Sequence, residues 1–63
     1  MARDYSLTEL RECAERELRL RKRVYPGRVE RGRMSPQQAN LQIQLMEAIV
    51  AYFADAEQLE RLL

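Results

Sequence analysis

From Pro36 to Leu63 the chain contains no glycine and no further proline, and alanine, leucine, glutamine and glutamate dominate. These residues favour helix, so the segment predicts one long helix over about 36–62. A helix that is apolar over more than half of its surface is buried on more than one side. Apolar residues here form two adjacent stripes at helical spacing, the first Leu41, Leu45, Ala48, Ile49, Tyr52, Ala56, Leu59 and Leu63, the second Ala39, Ile43, Met46, Val50 and Phe53.

An earlier helix over about 6–31 is predicted to pair with it. Ser6 followed by Glu9 forms the capping-box pattern S-x-x-E, and Ser35 with Gln38 repeats it at the start of the second helix. The first helix carries a main apolar stripe and a minor one, namely Leu7, Leu10, Ala14, Leu18, Tyr25 and Val29, then Cys13, Leu20 and Val24.

Pro26 and Gly27 leave two alternatives for where the first helix ends. In one, the helix stops at Val24, because proline removes a backbone donor and glycine is a weak helix former. In the other, it continues through a kink or break at Pro26 and ends at Gly32 in the left-handed conformation. The second alternative is favoured because Val29 continues the apolar stripe beyond the proline and the two helices then have similar lengths.

A chain of 63 residues forms one domain, 1–63, and is marginally stable without additional support. The single cysteine provides no internal disulfide. We therefore predict an all-α antiparallel hairpin that forms a homodimer, a four-helix bundle whose parallel or antiparallel arrangement stays open. A lone hairpin with one apolar side is the alternative. The predicted core and dimer residues are Leu10, Cys13, Leu18, Ile43, Met46, Ile49, Val50 and Phe53.

A hairpin that turns near Arg33 places Ala14 beside Phe53, and Arg21 beside Glu47. Arg21 is the charge on the main stripe of the first helix, and Glu47 is the charge inside the apolar run of the second. We expect these two residues to form a structural ion pair that favours one register over others.

The composition argues against several classes of function. Histidine is absent and both serines are expected to cap helices, so we predict no enzyme, no cofactor and no metal site. Cys13 lies on an apolar face and is expected to be a packing residue, with a crosslink across a dimer as the alternative. The longest apolar run is too short to span a membrane. We expect a cytoplasmic protein.

Positive charge is concentrated in residues 16–33, which contain eight basic residues and two acidic ones, although the net charge of the chain is only +1. One interpretation is a partner-binding surface for another protein, formed by Tyr25, Arg28, Arg31, Arg33 and Arg23. A second is nucleic-acid binding, with arginines on phosphates and Tyr25 stacked on a base. A third is a purely structural dimeric hairpin, whose arginines stabilise the carboxyl end of the first helix through its dipole.

Half of the chain carries the pattern R-x-x-V-Y-P-x-x-V-x-x-G-x-M, followed by an alanine and a spaced I-x-x-M-x-x-I. The residues are Arg21, Val24, Tyr25, Pro26, Val29, Gly32, Met34, Ala39, Ile43, Met46 and Ile49. In this pattern the chain resembles a group of small phage and prophage proteins. Small phage proteins with similar helical-hairpin dimers include anti-host factors, one of which is an anti-quorum-sensing protein that binds a host transcriptional regulator. The resemblance implies a phage-encoded protein that binds and inhibits a protein of its bacterial host.

Overall fold

The computed structural model describes residues 4–63, which form two helices, α1 from Leu7 to Glu30 and α2 from Pro36 to Leu62. The helices pack antiparallel in a hairpin of 47 × 19 × 18 Å. The predicted all-α hairpin is thus confirmed, with helix bounds close to those expected. Thr8 and Arg11 near the start of α1 contact Glu57 near the end of α2, and Lys22 contacts Glu47, which agrees with the predicted register to within a helical turn.

Both helices begin with the predicted capping boxes. The Ser6 hydroxyl accepts a hydrogen bond from the Glu9 backbone N–H at 3.0 Å, and the Glu9 carboxylate accepts one from the backbone N–H of Ser6. Ser35 and Gln38 make the same reciprocal pair at 3.0 Å in both directions. These bonds satisfy backbone donors that have no partner within the helix, so they fix both starting points.

α1 runs without interruption through Pro26, so the alternatives of an end at Val24 and of a break at the proline are wrong. Gly32 has a φ of 73°, in the left-handed region. Its N–H donates to the carbonyl of Val29 at 3.0 Å, and the N–H of Arg33 donates to the carbonyl of Arg28 at 2.8 Å. This is a Schellman motif, and it confirms Gly32 as the terminating glycine.

The two helices meet through small and flexible residues. Leu7 and Ala14 of α1 and Ala39 and Met46 of α2 are buried, and no side chain among residues 4–63 is completely removed from solvent. The second apolar stripe of α2 is the one that packs on α1. Its first stripe lies outside this contact, which leaves most of its large side chains exposed.

Candidate functional site

The hairpin has two different sides, and the Lys22–Glu47 salt bridge shows how positions on the two helices correspond. Ala14 and Met46 point inward, with exposed fractions of 6% and 7%. Each rotation is counted along its own helix toward higher residue numbers, at about 100° per residue. Lys22 then lies about 80° around α1 from Ala14, and Glu47 lies about 100° around α2 from Met46. These two side chains meet at 3.4 Å. Equal rotation from the inward residues therefore leads to the same side of the hairpin.

Rotation in the opposite sense leads to a side made of exposed apolar residues. Cys13 and Leu20 lie about 100–120° around α1 from Ala14, and the α2 members lie about 60–140° from Met46. We call this surface the apolar face; it consists of Cys13, Leu20, Leu41, Leu45, Ile49, Tyr52 and Leu59, all of them exposed. Leu45 is 48% exposed and Tyr52 is 71% exposed. Within residues 4–63, nothing buries these side chains completely, and each keeps a large exposed fraction.

The other side is polar and carries ion pairs between the helices. Besides Lys22 and Glu47, it includes Glu57, whose carboxylate accepts from the Thr8 hydroxyl and lies 3.0 Å from Nε of Arg11. Arg61 reaches the same carboxylate at 3.4 Å. The hydrogen bond from Thr8, and after it the bond from Arg11, holds the pKa of Glu57 below its ordinary value. The bond to Glu57 in turn raises the pKa of Arg11.

The predicted core and dimer residues divide between these environments. Met46 is buried, and Leu10, Leu18, Ile43, Val50 and Phe53 are half-buried at the contact between the helices. Cys13 and Ile49 are exposed, because both lie on the apolar face rather than between α1 and α2.

The expected ion pair between Arg21 and Glu47 is wrong. Arg21 lies close to the inward direction of α1, where its Nη1 donates to the carbonyl of Gln42 at 2.8 Å and its Nε pairs with Glu17 at 3.0 Å. Glu47 lies on the polar side and pairs with Lys22. The two residues are at similar heights along the hairpin, but they point in different directions.

Glu57 is the polar residue that the sequence interpretation missed. It is only 8% exposed and is held by Thr8 and Arg11 across the hairpin. A signal for it was present, because Glu57 continues the second stripe of α2, four residues after Phe53 and seven after Val50. A carboxylate at that position must be buried against α1, and a donor on α1 must then satisfy it.

The basic end of the hairpin lies around the turn. Arg23, Arg28, Arg31 and Arg33 are exposed, and Tyr25 is half-buried. The guanidinium carbon of Arg28 lies 5.4 Å from the centre of the Tyr25 ring, a cation–π contact. The predicted partner-binding residues are therefore at one end of the molecule, and the structure brings Tyr25 and Arg28 into contact.

An open groove of about 300 Å³ adjoins this basic end. Its walls are mostly apolar and include two prolines, one from each helix. The lining residues are Tyr25, Pro26, Val29, Pro36, Ala39, Asn40 and Ile43. The groove lies between the last turns of α1 and the first turns of α2, so it offers an apolar recess beside exposed arginines.

Within residues 4–63, no group of three or more histidine, cysteine, aspartate or glutamate residues is placed to hold a metal ion. Neither α1 nor α2 is long and apolar enough to cross a membrane. Comparisons of the chain with protein-family models, with curated proteins and with solved structures found no match.

Proposed function

We propose that this chain is a homodimeric helical hairpin that binds another protein through its basic end. The observation that carries the dimer in this proposal is the apolar face, a row of large side chains left exposed along one side of the hairpin. Apolar surface on that scale in so short a chain is typical of a protein–protein interface.

The surface area supports a dimer. A folded monomer of 7.5 kDa exposes roughly 4,200 Å² by the usual scaling with mass, whereas this chain exposes 5141 Å². The excess of about 900 Å² is similar to the roughly 800 Å² that each partner buries in a standard interface. Full burial of an exposed leucine or isoleucine contributes about 1.5–3 kcal/mol. Leu41, Leu45 and Ile49 are each still about half exposed, so covering the remainder would add part of that amount to a fold that has a small core of its own.

The basic end supports a protein target. Arginine and tyrosine are enriched at the energetic centres of protein interfaces, and Arg28 is held against Tyr25. The adjoining groove is walled by prolines and aliphatic side chains and fits an apolar anchor of a protein partner. Nucleic-acid binding by the 16–33 segment is the second candidate, with the arginines on phosphates and Tyr25 stacked on a base.

The resemblance to small phage proteins suggests the class of target. On this proposal the chain is phage-encoded and inhibits a protein of its bacterial host, such as a transcriptional regulator in quorum sensing or a defence factor. The target needs an acidic surface with one protruding apolar side chain, because that chemistry matches the arginines and the groove.

Light scattering on matched variants tests the dimer. The wild-type chain should have a mass of about 15 kDa, twice that of the 7.5 kDa protomer. Leu45→Glu introduces a charge into the apolar face and should give monomers, because an unpaired buried carboxylate is costly. Gln44→Glu adds the same charge at the neighbouring exposed position, which lies away from the face, and should stay dimeric. A monomeric wild type at micromolar concentration would contradict the proposal.

Affinity capture from host cells tests the target-binding surface. Arg28→Glu and Arg31→Glu together should abolish capture of a target that the wild type retains, whereas Arg16→Glu, at the far side of the basic segment, should reduce it little. Binding of a random DNA duplex is measured in parallel at two salt concentrations. Micromolar or tighter DNA binding that weakens steeply with salt would favour the nucleic-acid alternative. If the chain binds neither protein nor DNA, the purely structural interpretation stands.

A further inference from the structure

Charge is separated along the long axis of the hairpin. We call residues 19–48 the turn half, and residues 4–18 and 49–63 together the open half. The turn half has seven basic residues against Glu30 and Glu47, a net charge of +5. The open half has three basic residues against eight acidic ones, a net charge of −5; the acidic residues are Asp4, Glu9, Glu12, Glu15, Glu17, Asp55, Glu57 and Glu60.

Two symmetric arrangements cover the apolar face with a second copy of this chain. If the two-fold axis runs parallel to the helices, the two turns lie at the same end of the bundle. If it runs perpendicular to the helices within the interface, the turns lie at opposite ends. Neighbouring helices are antiparallel in both cases, so helix packing by itself does not choose between them.

We infer that the occupant of the apolar face is a second copy whose turn lies at the opposite end of the bundle. This inference rests on the dimer proposed above, and charge complementarity decides the arrangement. Helices in contact lie about 8–10 Å apart, which is within about one Debye length at physiological salt. The same-end arrangement places two halves of +5 side by side, whereas the opposite arrangement places each of them beside a half of −5.

The size and centre of the face fit this arrangement. The hairpin measures 47 × 19 Å in outline, about 900 Å², so one side of it has room for the roughly 800 Å² per partner of a standard interface. In the opposite arrangement each helix packs on its own copy, and residues at mid-length lie near the two-fold axis. Ile49 is the central residue of α2, and Leu20 is close to the centre of α1. Both are 43% exposed and apolar, so the axis passes through an uncharged part of the face.

The arrangement has a consequence for target binding. The basic ends of the two protomers point away from each other, at the two extremes of the bundle. One dimer therefore presents two separate target surfaces, one at each end of the bundle.

Distance measurements between spin labels test the inference. In a Cys13→Ser background, Gln37→Cys places one label per protomer at an exposed position beside the turn, and Gln58→Cys places one at an exposed position near the open end. At 1.5 Å per residue from Ile49, the opposite arrangement separates the two Gln37 labels by about 36 Å along the axis and the two Gln58 labels by about 27 Å. Lateral offset adds to both distances, so both should be long.

The same-end arrangement predicts shorter distances for both positions, roughly 20–30 Å, because paired labels then differ only by their lateral offset across the bundle. Short distances would overturn the inference and leave the dimer intact. An absence of dipolar coupling, with a monomeric mass by light scattering, would overturn the dimer and the inference together. Long distances at both labelled positions, Gln37 and Gln58, support the opposite arrangement. Neither substitution alters the net charge of either half.

Discussion

The carboxylate of Glu57 lies 3.0 Å from Nε of Arg11 and joins the end of α2 to the start of α1, at the open end of the hairpin. The Thr8 hydroxyl donates to the other oxygen of the same carboxylate. Glu57 is only 8% exposed, so these contacts take the place of its hydration. They are the polar contacts that hold together the end of the molecule where no turn connects the helices.

Protonation of Glu57 should make the stability of the protein depend on pH. Its pKa is lowered from an ordinary value of 4.5, first by the hydrogen bond from Thr8 and then by Arg11. A lowered pKa in the folded state means that the contribution to stability is fully present above about pH 5 and is lost as the pH falls through the folded-state value. Glu57→Gln should therefore unfold at a lower temperature than the wild type at pH 7, with a smaller difference near pH 3. Thermal melts across this range measure it.

Asp55→Asn is the matched control, because Asp55 is an exposed carboxylate on the same helix turn. Its melting temperature should follow that of the wild type at every pH. If Glu57→Gln and Asp55→Asn behave alike, Glu57 does not close the open end of the hairpin.

Glu47→Gln should change stability much less than Glu57→Gln does, which is the reverse of the order expected from an Arg21–Glu47 pair. The Lys22–Glu47 bridge is long at 3.4 Å, and its side chains are 53% and 48% exposed. Exposed pairs of this kind contribute about 0–1 kcal/mol. Urea denaturation of the two variants at pH 7 compares them directly. A larger loss for Glu47→Gln would mean that the polar side is organised around a different contact.

The fold could be predicted because its signals are local. A capping serine with Glu9 or Gln38 three residues later fixes a helix start by its own hydrogen bonds. Glycine adopts the left-handed conformation without strain. Gly32 therefore ends α1 by its own backbone conformation, independently of contacts elsewhere in the chain. The continuation of α1 through Pro26 was predictable from Val29, whose position keeps the apolar stripe on one side.

The ion pairs could not be predicted in the same way, because they depend on the rotation of each helix as well as on its register. Arg21 and Glu47 are at similar heights, but a register argument leaves their directions undefined. The two stripes of α2 are equally plausible contacts for α1, and the sequence pattern does not say which one packs inward. Once Met46 faces α1, Glu47 is turned toward the side of Lys22 and Ile49 toward the apolar face.

Alanine substitution at the two glycines should have opposite effects on stability. At Gly32 the φ of 73° is costly for a residue with a β-carbon, so Gly32→Ala should destabilise the protein by roughly 1–2 kcal/mol. Gly27 is inside α1, where alanine is favoured over glycine by up to about 1 kcal/mol. A β-carbon there would lie 3.3 Å from Nη1 of Arg31, a flexible side chain that can shift. Chemical denaturation should show a loss for Gly32→Ala and a gain for Gly27→Ala.

Pro26→Ala should stabilise the hairpin and weaken target binding. Proline in a helix interior costs about 3 kcal/mol relative to alanine, because it removes one backbone hydrogen bond and clashes with the preceding turn. Relief of that cost should raise the free energy of unfolding by about 1–3 kcal/mol, as measured in urea. Pro26 also lines the groove beside Arg28, so its ring would contact an apolar anchor of the target. Gly27→Ala is the matched control for the gain in stability, since it raises helix propensity at the next position, outside the groove lining. A Pro26→Ala variant that is more stable and binds the target as tightly as the wild type would remove the groove from the proposed binding surface.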